Sequence, residues 1–97
     1  MNCFLPKVSV MIITYNQEDL IAETIESVIS QDYGNLEIVV SDDASTDRTV
    51  EIINDYARRY PGKVVPVLNQ KNLGITGNSN TAFFFCTGEL IAVLGGD

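Results

Sequence analysis

Residues 8–14 read VSVMIIT, a nearly unbroken apolar run rich in β-branched side chains, and pass directly into Tyr15 and Asn16. This composition suits a strand buried on both faces of a parallel sheet, where the polar–apolar alternation of a half-exposed strand disappears. Working outward, Leu20, Ile21, Ile25, Val28 and Ile29 recur at helical spacing across residues 18–31, and Asn16 stands where it can cap the start. LEIVVS at 36–41 is a second strand. Val50, Ile53, Ala57 and Tyr60 mark a second helix that Pro61 and Gly62 terminate. Residues 64–68 form a third strand containing Pro66, whose missing N–H favours a sheet edge. Residues 76–86 make a third helix, polar in its first half and apolar in its second, stopped by Thr87 and Gly88. LIAVL at 90–94 is a fourth strand. No repeat or linker-like run interrupts the alternation. Strands alternating with helices imply right-handed crossovers, so the expected class is α/β with an open parallel sheet.

With 97 residues, 45% of them hydrophobic, the chain has room for one small domain with a modest core. The longest apolar runs, such as those at 82–86 and 90–94, and shorter ones such as 10–13 fall far short of the ~20 residues of a membrane-spanning helix. Residues 1–7 lack the features of a secretory signal and read as a leader into the first strand, which makes the cytosol the expected address. Thirteen acidic against six basic residues give a net charge of −7, the wrong sign for neutralising nucleic-acid phosphates. An acidic protein can still hold an anionic nucleotide through a divalent cation. Cys3 and Cys86 lie far apart, and the chain has no His, so an imidazole-ligated zinc site is excluded and both thiols are expected to be reduced packing residues.

In open parallel sheets, ligands bind beyond the carboxyl ends of the strands. Here those ends read Thr14-Tyr15-Asn16, Ser41-Asp42-Asp43, the neighbourhood of Asn69 and Asn72, and Gly95-Gly96-Asp97. Taken singly, Asn16 reads equally well as a helix cap, and Asp42 and Asp43 as solvated turn residues. Four polar endings on one edge favour a site, because paired carboxylates repel unless a cation, a hydrogen-bonded base or a sugar hydroxyl compensates them. No G-x-x-x-x-G-K-[ST] loop is present, and no G-x-G-x-x-G follows the first strand. Bound phosphates would therefore be held by a metal or by residues outside this chain.

These residues resemble the family-two glycosyltransferases, whose first strand ends in T-Y-N or S-Y-N and whose second ends in D-D-x-S-x-D-x-T. Here they are Thr14-Tyr15-Asn16 and Asp42-Asp43-Ala44-Ser45-Thr46-Asp47-Arg48-Thr49, followed by an N-x-G element, Asn72-Leu73-Gly74, and a Gly88-Glu89 turn. The resemblance runs from about Lys7 to Asp97. It implies the GT-A fold, here with a parallel sheet in the order 3-2-1-4, and the nucleotide-sugar-binding front part of a longer enzyme. It also implies a UDP-linked donor held by Thr14, Tyr15, Asn16, Glu18, Asp42, Asp43, Asn72, Gly74, Asn80, Gly96 and Asp97. In that picture Asp43 accepts a uracil N–H and Tyr15 offers a ring face or backbone contacts. Asp47 and Thr49, opening the second helix, read as caps.

The family's D-x-D element carries a divalent metal, Mg or Mn. Gly95 replaces its first Asp, which leaves as the metal ligand Asp97 or an acidic residue directly after it. Ser79 stands where a basic residue often precedes the Asn matched by Asn80. The implied reaction is attack of an acceptor hydroxyl, on a glycan or lipid-linked sugar, at the anomeric carbon of the donor, in polysaccharide or surface-glycan synthesis. The full-length enzyme would sit in the cytoplasm or peripherally on a membrane. The family's catalytic base lies beyond D-x-D, so none is named here and the isolated chain is expected to be inactive. Its fourth strand, with Leu90, Ile91, Val93 and Leu94 at an open edge, is expected to promote self-association. A nucleotidyltransferase is disfavoured because Gln17-Glu18-Asp19 replaces a Gly-rich basic loop, and a receiver module because the acidic pair follows the second strand. A degenerate interaction domain is the remaining alternative, suggested by Gly95.

Overall fold

One sheet organises the chain. Its strands are β1 (Val8–Thr14), β2 (Leu36–Asp42), β3 (Val64–Leu68) and β4 (Leu90–Gly95), in the order β3-β2-β1-β4 with every neighbour parallel. The computed structural model describes residues 5–95. Both the class and the strand order match the reading of the sequence, and Pro66 lies on the edge strand β3, where its lack of an N–H is harmless.

The helices α1 (Ile21–Ile29) and α2 (Thr49–Arg59) cover one face and α3 (Gly74–Phe85) the other. Because side chains alternate along a strand, neighbours on β1 and β2 feed different cores. Ile12, Ile38 and Val40 pack with Ile21, Ile25 and Val28 of α1 and Ile53 and Tyr56 of α2. Met11 and Val39 face Ala82 of α3. The Tyr56 hydroxyl donates to Glu26 at 2.8 Å, tying α2 to α1.

Two sequence expectations need adjustment. The first helix begins at Ile21 and not at Glu18, because residues 17–20 form a separate turn in which the Gln17 carbonyl accepts the N–H groups of Leu20 and Ile21. Asn16 does not cap it: the N-cap position is Leu20, and Asn16 sits at φ 49 with its side-chain oxygen accepting the Thr46 N–H at 2.8 Å. Asn is among the few residues that adopt such a φ readily. In the apolar second half of α3, Ala82 is buried while Phe83, Phe84 and Phe85 are exposed, as is every residue of β4.

What seats β4 is a buried polar cluster at the amino end of the sheet. The Glu37 carboxylate accepts from the Ser9 hydroxyl and from the N–H (2.8 Å) and hydroxyl of Thr87, with Lys7 Nζ 3.4 Å away. Ser9 Oγ in turn accepts the Gly88 N–H at 2.8 Å. Burial by itself would raise the Glu37 carboxyl, but the Ser9 and Thr87 hydrogen bonds and the Lys7 charge outweigh it, holding the group below the usual glutamate range. A Cβ on Gly88 would lie 2.6 Å from the Ser9 nitrogen, so only Gly fits this approach. Cys86 is a half-buried free thiol bonded to the Ala82 carbonyl, and burial pushes its thiol up, in keeping with a packing role; Cys3 lies outside the described residues. No helix among the described residues is long and apolar enough to cross a membrane.

Candidate functional site

The polar strand ends converge, as parallel topology requires, but they do two different jobs. One set stitches together the loops after β1 and β2. The Asn16 N–H donates to Ser45 Oγ (2.8 Å), the Gln17 N–H to Thr49 Oγ1 (2.9 Å) and the Glu18 N–H to Asp47 Oδ2 (3.2 Å). In return the Arg48 N–H donates to the Glu18 carboxylate at 2.8 Å. Asn16 and Glu18 therefore have their side chains directed to the neighbouring loop. Asp47 accepts the N–H and hydroxyl of Thr49 at the start of α2, although the N-cap position itself is Arg48, with no side-chain cap bond. Desolvation would raise its carboxyl, but the Thr49 and Glu18 hydrogen bonds outweigh this and lower it.

Asp42 belongs to the same framework. It is fully buried, and its two oxygens accept the N–H and the hydroxyl of Ser45, closing a tight turn around Ala44 at φ 63. The sequence places Asp42 and Asp43 side by side as a pair, yet the strand's alternation sends their carboxylates to different partners.

Asp43 points to α3. Its Oδ1 accepts the Leu73 N–H (2.7 Å) and Asn69 Nδ2 (3.2 Å), and its Oδ2 accepts the Gly74 N–H (2.9 Å). An ionised carboxylate has about four acceptor positions. Three are filled here, which leaves one on Oδ2. The helix N-terminus also favours the negative charge. Asn72 reinforces the loop by donating to the Asp43 carbonyl and accepting from Gly74.

A cleft of about 360 Å³ opens above Asp43. Ile13, Thr14, Tyr15 and Gln17 line it from the end of β1, Ile75 and Asn78 from α3, and Gly95 from β4. Of the residues expected to form the site, Thr14, Tyr15 and Asp43 meet here. Asn16, Glu18, Asp42, Asn72 and Gly74 support the surrounding loops, and Asn80 is exposed outside the lining. Gly96 and Asp97, the latter expected to bind metal, lie outside the described residues. Among the described residues there is no cluster of three metal-ligating side chains.

Thr14 is 3% exposed, and its hydroxyl has no partner among the described residues. By the alternation of β1 that hydroxyl shares the side of Ile12 and Asp42, so Thr14 borders the cleft without directing the hydroxyl into it. Asn78 is the residue that sequence reasoning missed. It is 1% exposed, accepts Ser41 Oγ (2.5 Å) and Asn69 Nδ2 (2.9 Å), and donates to the Ser41 carbonyl (3.1 Å). Its signal is Ala82, four residues on along the same buried stripe of α3.

The sequence matches the model of glycosyl transferase family 2 over residues 9–97. A curated relative from Escherichia coli, UDP-Glc:alpha-D-GlcNAc-diphosphoundecaprenol beta-1,3-glucosyltransferase WfaP, is 39% identical over 90 residues, covering 93% of this chain and 35% of that protein. Among solved structures, the mannosyltransferase PcManGT of Pyrobaculum calidifontis in complex with GDP-Man and Mn2+ superposes with a TM-score of 0.84 at 34% identity, over 97% of this chain and 28% of that one. TarS 1-349 of S. aureus in complex with UDP-GlcNAc gives 0.85 at 33% identity, over 94% of this chain and 26% of that one. The chain thus spans about a third or less of the proteins it matches. By sequence across nearly its whole length, and by a sheet that superposes on these enzymes, this chain belongs to glycosyltransferase family 2.

Proposed function

We propose that the chain is the donor-nucleotide part of a glycosyltransferase that moves a sugar from a UDP-linked donor to a hydroxyl on a glycan or lipid-linked acceptor, in the synthesis of a polysaccharide or surface glycan. The observation that carries this reading is the open acceptor position of Asp43, in a cleft at the carboxyl edge of the sheet lined by Thr14 and Tyr15. A base with a ring N–H completes it, and the exposed Tyr15 ring offers a face in the same cleft. The nucleotide sugars bound by PcManGT and TarS, and the UDP-glucose and undecaprenol-linked substrates in the name of WfaP, support the same donor and acceptor chemistry. An undecaprenol-linked acceptor would bring the full-length enzyme to a membrane surface.

In the reaction, the acceptor oxygen forms a bond to the anomeric carbon as the bond to the nucleoside diphosphate breaks. This chain's part is positioning: it holds the base and ribose so that the diphosphate runs toward the end of β4. Asp97 is the residue we assign to a divalent cation, which would stabilise charge on the leaving diphosphate; the Mn2+ of PcManGT supports that assignment. The described residues do not by themselves make a metal site, and the positioning role stands without one. The acceptor's proton must pass to a general base, and no described residue of this chain is assigned that role. Calorimetric titration of the full-length protein with UDP, with and without Mn2+, tests the reading. Saturable binding is expected, and an absence of binding under both conditions would overturn it.

A further inference from the structure

The open acceptor position of Asp43 is not the cleft's only unused polar valence. The Asn78 amide nitrogen carries two hydrogens, and one donates to the Ser41 carbonyl at 3.1 Å while the other has no partner among the described residues. The amide cannot be turned around, because Oδ1 is fixed as the acceptor of Ser41 Oγ at 2.5 Å and of Asn69 Nδ2 at 2.9 Å. Asn69 Nδ2 also reaches Asp43 Oδ1 at 3.2 Å, so one amide holds Asn78 and Asp43 side by side. Both line the same cleft. The wall therefore presents a fixed N–H donor next to a carboxylate acceptor.

We propose that Asn78 selects the base of the donor nucleotide, donating its remaining N–H to the ring carbonyl adjacent to the ring N–H that Asp43 accepts. This rests on the donor reading above and adds a specificity determinant to it. Uracil and guanine offer a ring N–H flanked by a carbonyl, which complements an acceptor beside a donor. Adenine offers a bare ring nitrogen beside an amino group, and cytosine one with an amino group on one side and a carbonyl on the other; the proposal places Asn78 on the amino side, which sets lone pair against carboxylate and N–H against N–H. Rejection of cytosine is thus built in by mismatch as well as by a missing contact. Ser41 and Asn69 act as positioning residues, because they set which way the Asn78 amide faces.

The test is calorimetric titration of the full-length protein with UDP and with CDP, for the wild type and for Asn78→Ala. The wild type is expected to bind UDP at least about tenfold tighter than CDP, and Asn78→Ala to lose about tenfold in UDP affinity with CDP little changed, the scale of one lost hydrogen bond. A purely structural role would weaken both nucleotides together and preserve their ratio, which would overturn the proposal. So would a wild type that binds the two alike. A wild type that binds neither nucleotide overturns the donor reading and this inference with it, whereas a ratio preserved in the variant overturns this inference alone. Should Asn78→Ala fail to fold, the wild type is titrated with 2-thio-UDP and 4-thio-UDP, in which one ring carbonyl is replaced by a poorer acceptor. One of the two is expected to bind several-fold weaker than UDP, and equal binding of all three would refute the role.

Discussion

The carboxylate of Asp43 accepts the N–H of Gly74 at 2.9 Å, joining the end of β2 to the first residue of α3 across 31 positions of sequence. Gly74 adopts φ 82 to make this approach, a conformation that side chains with a Cβ rarely take. The aspartate that faces the cleft is thus also the clamp on the helix that forms the cleft's far wall.

Asp43→Ala is accordingly expected to do two things. It removes the open acceptor from the cleft, and it leaves the N–H groups of Leu73 and Gly74 without their partner. A loss of about 1–3 kcal/mol is expected in UDP affinity, and of similar size in unfolding free energy, the usual range for a hydrogen-bonded charge removed from one side. Calorimetry on the full-length protein and urea unfolding of the same sample check the two halves. Weakened binding with unchanged stability would show that the clamp carries no energy.

At the other end of the sheet, Gly88→Ala should destabilise by about 1–3 kcal/mol, the range for overpacking a tight site. The added methyl would meet the Ser9 nitrogen at 2.6 Å and the Lys7 carbonyl at 2.8 Å, so the turn into β4 must shift. Urea unfolding measures the change, and a value within error of wild type would contradict this packing.

Acid sensitivity follows from the same cluster. Glu37 is held below its ordinary value in the folded chain, so the unfolded chain binds its proton more readily. Its contribution to stability is fully present above a pH of about 4.5, the unfolded value, and is lost as the pH falls through the lower folded value. Glu37→Gln should be less stable at neutral pH and lose less on acidification below that point. Asp47 is lowered as well and retains its share in the variant, so the acid slope should shrink without vanishing. Thermal unfolding of wild type and variant from neutral pH down through the acid range decides it; parallel curves would show that Glu37 does not titrate with folding.

The edge strand gives a further expectation. Leu90 is 57% and Val93 66% exposed on β4, with Phe83 and Phe84 uncovered on α3 nearby in sequence. Unpaired strand edges flanked by apolar surface recruit other chains. The 97-residue chain should therefore sediment as an associating species, and a Leu90→Lys, Val93→Lys double substitution should reduce the association. Concentration-independent monomers would argue against this.

The element order was legible because apolar periodicity is a local property: VSVMIIT and LEIVVS can hardly be anything but inner strands, and Pro66 marks β3 as an edge. The start of α1 was not, since residues 18–20 fit the helical pattern while the Gln17 carbonyl turns the backbone just ahead of it. Within the site, Thr14, Tyr15 and Asp43 were readable from topology, because parallel strands bring their carboxyl ends to one edge. Asn16, Glu18 and Asp42 look the same in sequence whether they face a ligand or another loop, and their partners, Thr46, Arg48 and Ser45, show only in three dimensions. Asn78 was hidden among the polar residues opening α3, where its burial depends on which face of that helix meets Ser41.

The most direct test of the account is UDP titration of the full-length protein carrying Tyr15→Ala. Tyr15 lines the cleft and is 45% exposed, so its ring adds little to the packing of the fold. The melting temperature of the unliganded protein should therefore stay close to that of the wild type. If the ring stacks on the base, UDP affinity should nevertheless fall by about tenfold, the scale of one base–aromatic stack. UDP binding equal to wild type in a folded Tyr15→Ala protein would contradict the placement of the nucleotide in this cleft.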